Sequence, residues 1–181
     1  MRRIRHTVSV DIASTVEDTF DFVTAVETPA KVFAGYGPIP AVLETTVVGG
    51  GPLREGSLCR ARNSDGSEMT RAITVHQRPL RHEYFIDGDG FRPLFRMMVR
   101  GGTGTWVLSQ NGASTRLAWT YEFELRALVW WLAAFLLVRL FFAPAMRRCV
   151  LATKLELEGS RSTRHSGSAF GYEEAGCVGN S

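Results

Sequence analysis

Residues 114–125 read STRLAWTYEFEL. Leu117, Trp119, Tyr121, Phe123 and Leu125 fall on one side of an extended chain, and Arg116, Thr120, Glu122 and Glu124 on the other. This is the period of a strand with one buried face. A face so uniformly apolar must be covered, because leaving it in water would cost roughly 25 cal/mol per Å². The turn NGA (111–113) joins it to a second strand-like stretch, FRMMVRGGTGTWVLSQ (95–110), along which Phe95, Met97 and Val99 alternate. Within it, GGTGT (101–105) has no following Lys-Ser or Lys-Thr and reads as a bulge that bends the sheet, not as a phosphate loop.

Working back toward the N-terminus, VLETTVV (42–48), SLCRARN (57–63), SEMTRAITVHQ (67–77) and HEYFI (82–86) are strand-like runs separated by turn residues. A further strand alternates over residues 7–12. Ser14 and Glu17 then stand in capping-box spacing before an apolar stripe of Phe20, Phe22 and Val23, and a second short helix fits Glu27–Phe33. The cover for the sheet must come from 127–158, ALVWWLAAFLLVRLFFAPAMRRCVLATKLELE. Pro144 suits the first turn of a helix, so the spacing predicts a division there and a terminal helix over 144–158, with Met146, Val150 and Leu155 among its apolar residues, ended by Gly159. Helices gathered on one side of an antiparallel sheet make an α+β domain over 1–158. The Gly/Ser-rich remainder, 159–181, reads as a disordered tail.

The chain has 181 residues, 45% hydrophobic and 22% charged, enough for one domain that buries roughly 70% of its unfolded surface. A net charge of +3 with scattered arginines lacks the clustered basic face of a nucleic-acid binder, so no such partner is expected. Cys59, Cys149 and Cys177 form neither a disulfide framework nor a C-x-x-C site, and MRRIRHTVSVDIAS has no apolar secretory core, which together predict a cytoplasmic protein.

The strings VSVDIASTVEDTFDFVT, GGGPLREGSLCRAR, GTGTWVLSQNGASTRLAWTYEFEL and APAMRRCVLATKLELEG, in this order over residues 6–159, resemble the START-like (SRPBCC) superfamily of polyketide cyclase/dehydrase and lipid-transport proteins. The resemblance implies a helix-grip fold. In it a curved antiparallel sheet of about seven strands wraps a long C-terminal helix, with two short helices between strands 1 and 2 and an apolar cavity inside. It also implies binding of a lipid, a polyketide or another hydrophobic molecule, and in some members ring closure or dehydration. Two places depart from the pattern: Thr24-Ala25 stands where an acidic residue often follows the first helix, and 128–142 is more apolar than usual.

On this reading Phe95, Met97, Val99, Leu117, Trp119, Tyr121 and Phe123 line the cavity. A cyclase or dehydratase would need a proton-transfer group and a cationic donor, for which Arg71, Glu83 and Tyr121 are the foremost candidates, beside His76, Tyr84 and Arg96. His76 and His82 flank one turn as partly solvated residues, but a metal would want further ligands, so neither metal nor cofactor is expected. Without a G-x-S-x-G elbow or a Cys-His pair, covalent catalysis has no carrier. Three functions stay open: binding or transport of a hydrophobic small molecule, general acid/base cyclisation, and lipid carriage with 128–142 against a membrane. As a helix, 127–146 is about 30 Å long, the thickness of a bilayer core, though Arg139 opposes insertion.

Overall fold

Ten residues from Arg3 to Ile12 extend as β1 and pair antiparallel with β7 (Ser114–Leu125), Arg3 opposite Glu124 and Ile12 opposite Thr115. The strand begins ahead of residue 7 because Arg3 reaches Glu122 at 2.8 Å and Glu124 at 3.2 Å across the outer face. The computed structural model describes residues 3–167, and residues 168–181 of the expected tail, Cys177 included, lie outside them. Between β1 and β7 come α1 (Val16–Thr24), α2 (Thr28–Val32), β2 (Val42–Val47), β3 (Leu58–Asn63), β4 (Glu68–Gln77), β5 (Arg81–Asp87), α3 (Pro93–Met98) and β6 (Val99–Asn111). The seven strands form one antiparallel sheet in the order β1-β7-β6-β5-β4-β3-β2. Strands β2 to β7 are a meander, and α1 and α2 carry the chain from one edge to the other.

Alternation decides the two faces. On β7, Leu117, Trp119, Tyr121, Phe123 and Leu125 are all buried, as their spacing predicts. On β6 the inner face reads Gly102, Gly104, Trp106, Leu108, and the glycines have a spatial cause. A Cβ on Gly102 would stand 2.5 Å from the Tyr121 ring, and one on Gly104 would collide with the Tyr84 ring. Two tyrosines therefore lie flat over bare backbone. The expected bulge sits at the start of this run, between Val99 and Gly101.

Four local expectations are corrected. The first helix is capped by Thr15, whose hydroxyl accepts from the Asp18 N–H at 3.1 Å. Ser14 is buried instead, its carbonyl accepting from the Thr115 hydroxyl at 2.7 Å. Residues 93–98 are helix, not strand, opened by Pro93 in its first turn, so Phe95 and Met97 do not alternate across a sheet.

Pro144 does not divide the C-terminal segment. Helical turns run from Leu128 through α4 (Trp131–Leu137) and a π turn at Val138–Phe142 into α5 (Ala143–Gly167). The wide turn comes where a proline ring would crowd the carbonyl of Leu140 and where its missing N–H breaks the ladder. Gly159 does not stop the helix, which runs on to Gly167 into the expected tail; one interior glycine costs only about 1 kcal/mol. Met146, Cys149, Val150, Thr153 and Leu157, at three- and four-residue spacing, face the sheet, whereas Leu155 points to solvent. The far end of the rod is fastened by Lys154, which donates to the Asp11 carbonyl at 2.6 Å, and by Glu158, which accepts from the Ala13 N–H at 2.9 Å.

Two glycine substitutions should move stability in opposite directions in urea melts. Gly104→Val should lose about 1–3 kcal/mol by overpacking against Tyr84. Gly159→Ala, a helix position with open space at its Cβ, should gain about 0.5–1 kcal/mol.

Candidate functional site

The rod covers the concave face of the sheet without filling the space beneath it. A cavity of about 600 Å³ remains between β3–β7, α1, α2, α3 and the rod, within the range of about 300–1,000 Å³ usual for small-molecule sites. Its exposed rim is made by Pro38 in the 34–40 loop and by Arg92, Pro93 and Leu94 at α3. Aromatic rings dominate one wall. Trp106 and Trp119, opposite each other in register, stack with centroids 4.6 Å apart and planes 10° apart. Phe142, brought inward by the π turn, packs edge-on against Tyr121 at 4.9 Å and Phe123 at 5.0 Å.

Polar groups gather on the facing strands. Arg71, His82, Tyr84 and Tyr121 all belong to the wall. The Arg71 guanidinium lies 5.4 Å over the Tyr84 ring, and Tyr84 and Tyr121 meet edge-on at 6.3 Å. Nη2 of Arg71 donates to the Thr45 hydroxyl at 3.3 Å, while its Nε is buried without a partner and no carboxylate among the described residues pairs with it. Two further buried polar atoms on wall residues lack partners, Asn63 Oδ1 and Trp119 Nε1. The Trp119 N–H approaches the Tyr84 hydroxyl without reaching hydrogen-bonding geometry. Burial pushes the Tyr84 hydroxyl up to about 12, against the pull of Arg71, and holds Tyr121 well above the usual phenol range. Both phenols stay protonated donors. The wall contains no Asp or Glu.

The two histidines meet through a register change. A bulge between Ile73 and Val75 turns His76 onto the concave face, where its Nδ1 lies 3.1 Å from Nδ1 of His82. One ring must donate and the other accept. His82 is buried, not partly solvated as its hairpin position predicts, and burial first, then His76 and Arg71, lower it to about 3. Burial also lowers His76, although Asp21 opposes the shift. No cluster of three or more metal-ligating side chains occurs among the described residues.

Of the residues singled out from sequence, Arg71, His82, Tyr84, Phe95, Trp119, Tyr121 and Phe123 come together on the cavity wall. Val99 and Leu117 are fully buried in packed core away from it, and Met97 is exposed on α3. Glu83 lies on the convex face, where hydrogen bonds from Arg81, Thr74 and Thr105 overcome its burial and hold its carboxyl low. Arg96 is on α3 and loosely paired with Asp89 at 3.9 Å. Thr24 ties its hydroxyl to the Phe20 carbonyl at 2.8 Å. Phe142 has no sequence signal of its own, because its inward aim depends on the π turn.

The sequence pattern of the family described as polyketide cyclase / dehydrase and lipid transport matches residues 3–158. No curated protein is similar enough in sequence to count as a relative. Solved structures share the fold at low identity. The major latex-like protein 151 of Panax ginseng is 10% identical over 86% of this chain and 97% of its own, with a TM-score of 0.60. Norcoclaurine synthase of Thalictrum flavum is 9% identical over 88% and 97%, at 0.63. The di-domain ARO/CYC StfQ of the steffimycin biosynthetic pathway is 10% identical over 88% of this chain and 52% of its own, at 0.65.

The buried histidines fix a pH dependence. Their folded values lie below the unfolded value of about 6.5, so the unfolded chain binds more protons as pH falls below that point. His6, lowered by burial and then by Arg147 and Arg139, acts in the same sense. Stability should be full above about pH 6.5 and fall toward pH 4.5, with a slope of up to about 1.4 kcal/mol per pH unit from His82 and smaller contributions of the same sign from His76 and His6. Urea melts across this range should show a shallower slope for His82→Asn.

Proposed function

Because the chain belongs to the polyketide cyclase/dehydrase and lipid-transport family, we propose that its cavity binds a mainly apolar small molecule carrying one anionic oxygen group, a carboxylate or phenolate, directed at Arg71. Apolar burial supplies affinity, and the polar patch fixes orientation. The observation that carries this reading is the Arg71 guanidinium, a cavity-wall cation with no carboxylate partner, accompanied by unpartnered buried atoms on Asn63 and Trp119. Buried polar atoms are nearly always satisfied, so a guest that brings acceptors and donors to this patch improves the balance. The neighbouring hydroxyls of Tyr84 and Tyr121 are protonated and donate to the same end of the guest.

Cyclisation is the second reading. Arg71, Tyr84 and Tyr121 are the donors that an enolate would call for. A general base is harder to find. The wall lacks carboxylates, Glu83 is on the other side of the sheet, and a histidine lowered to about 3 is a weak proton acceptor at neutral pH. Binding therefore ranks first, and a cyclase of this design would leave proton removal to water or to the substrate.

Titration with cis-parinaric acid and its methyl ester tests the proposal. The acid should bind the parent chain, and Arg71→Met should weaken it by about tenfold to a hundredfold, the worth of a charge-assisted hydrogen bond, while changing the ester by less than about threefold. Equal loss for both ligands, or uptake of neither by the parent, overturns it.

A further inference from the structure

The helical segment Leu128–Ser160 is long and apolar enough to cross a bilayer by length and composition, yet its first half is neither buried in the protein nor free of it. Ala134 and Val138 are buried, and Leu137 reaches the cavity wall. The opposite side is bare: Leu128, Val129, Leu132, Leu136 and Leu140 are between 46% and 78% exposed. Trp131 and Phe135 stack on the surface beside them, centroids 5.1 Å apart and planes 11° apart. The adjacent α3 adds Leu94 and Met97, 65% and 55% exposed. An apolar surface of this breadth marks a contact site.

The charge on the helical segment itself is positive. No Asp or Glu occurs from residue 125 to 155, whereas Arg126, Arg139, Arg147, Arg148 and Lys154 do. Arg126 ties α3 to the rod by donating to the Arg96 and Val99 carbonyls at 2.8 and 3.0 Å. Among the described residues, Arg100, Arg126 and Arg139 have no carboxylate partner, and Asp89, on the α3 side, is held loosely by Arg96. A second copy of the chain packed on this face would set arginines against arginines. An anionic bilayer would neutralise them while accepting the leucines.

We propose that the outward faces of α3 and α4 dock this protein on an anionic lipid surface, the helix lying in the interface. The inner side of α4 is held by the sheet and α3, which keeps it from spanning. Leu94, exposed on α3, also belongs to the cavity rim, so docking turns the mouth toward the acyl chains. This last point rests on the cavity's binding role; the docking surface does not.

Co-sedimentation of the full chain with vesicles tests it, using phosphatidylcholine alone and phosphatidylcholine with about one-third phosphatidylglycerol. Binding should favour the anionic vesicles by at least about tenfold, weaken with added salt, and fall about tenfold in Leu132→Ser/Leu136→Ser. Both residues are exposed, so the variant should melt with the parent and still take up parinaric acid from solution. Sedimentation without probe uptake supports docking and sinks only the cavity's role. Equal binding to both vesicles, undiminished binding of the double variant, carbonate-resistant retention, or a parent dimer that the double variant converts to monomer each overturns the proposal.

Discussion

The structure depends on a partial cover. The concave face of β6 and β7 is too apolar to leave wet, and the rod lies across it, yet contact is concentrated at two places. Phe142 plugs into the rings of Tyr121 and Phe123 at one end, and the Met146–Leu157 stripe with the Lys154 and Glu158 bonds closes the other. Beneath the rod, where Phe142, Cys149 and Thr153 form its roof, about 600 Å³ stays open. Flat tyrosines over Gly102 and Gly104 let the wall be aromatic without filling the middle.

Small breaks in regularity place the chemistry. One extra residue near Thr74 sends His76 inward to His82, and Glu83, next along β5, is thereby paired on the outside with Val75 and bonded to Thr74. The same sheet thus separates a carboxylate on its convex face from a cation and two phenols on its concave one. This division favours holding an electron-rich guest over moving its protons.

What could be read from sequence was whatever repeats with a period. The alternation of 114–125 marks the buried face of β7, and the succession of strands and helices, the α+β class and the helix-grip arrangement follow from such alternation together with the family strings. The places of Trp119, Tyr121 and Phe123 are legible in the same way, whereas Arg71 stands out only as a cation in a strand-like run. Met97 and Phe95 were misassigned because Pro93 starts a six-residue helix in a stretch whose alternation also fits a strand. Pro144 reads as the start of a separate helix and Gly159 as its end, but tertiary packing of the rod outweighs a proline that a π turn can absorb and a glycine in open space. His76 and Phe142 owe their aim to a bulge and a π turn, which leave no mark in hydrophobic periodicity.

The sheet order has a consequence for how the chain comes together. Among the described residues β1 pairs with β7 alone, so Arg3–Ile12 must wait for residues 114–125 before they find a partner. On the ribosome, the meander from β2 onward has its neighbours in sequence order, whereas the N-terminal strand closes a loop of more than a hundred residues and joins late. Capture of that strand and arrival of the rod, whose Lys154 and Glu158 grasp Asp11 and Ala13, then belong to one final event in assembly.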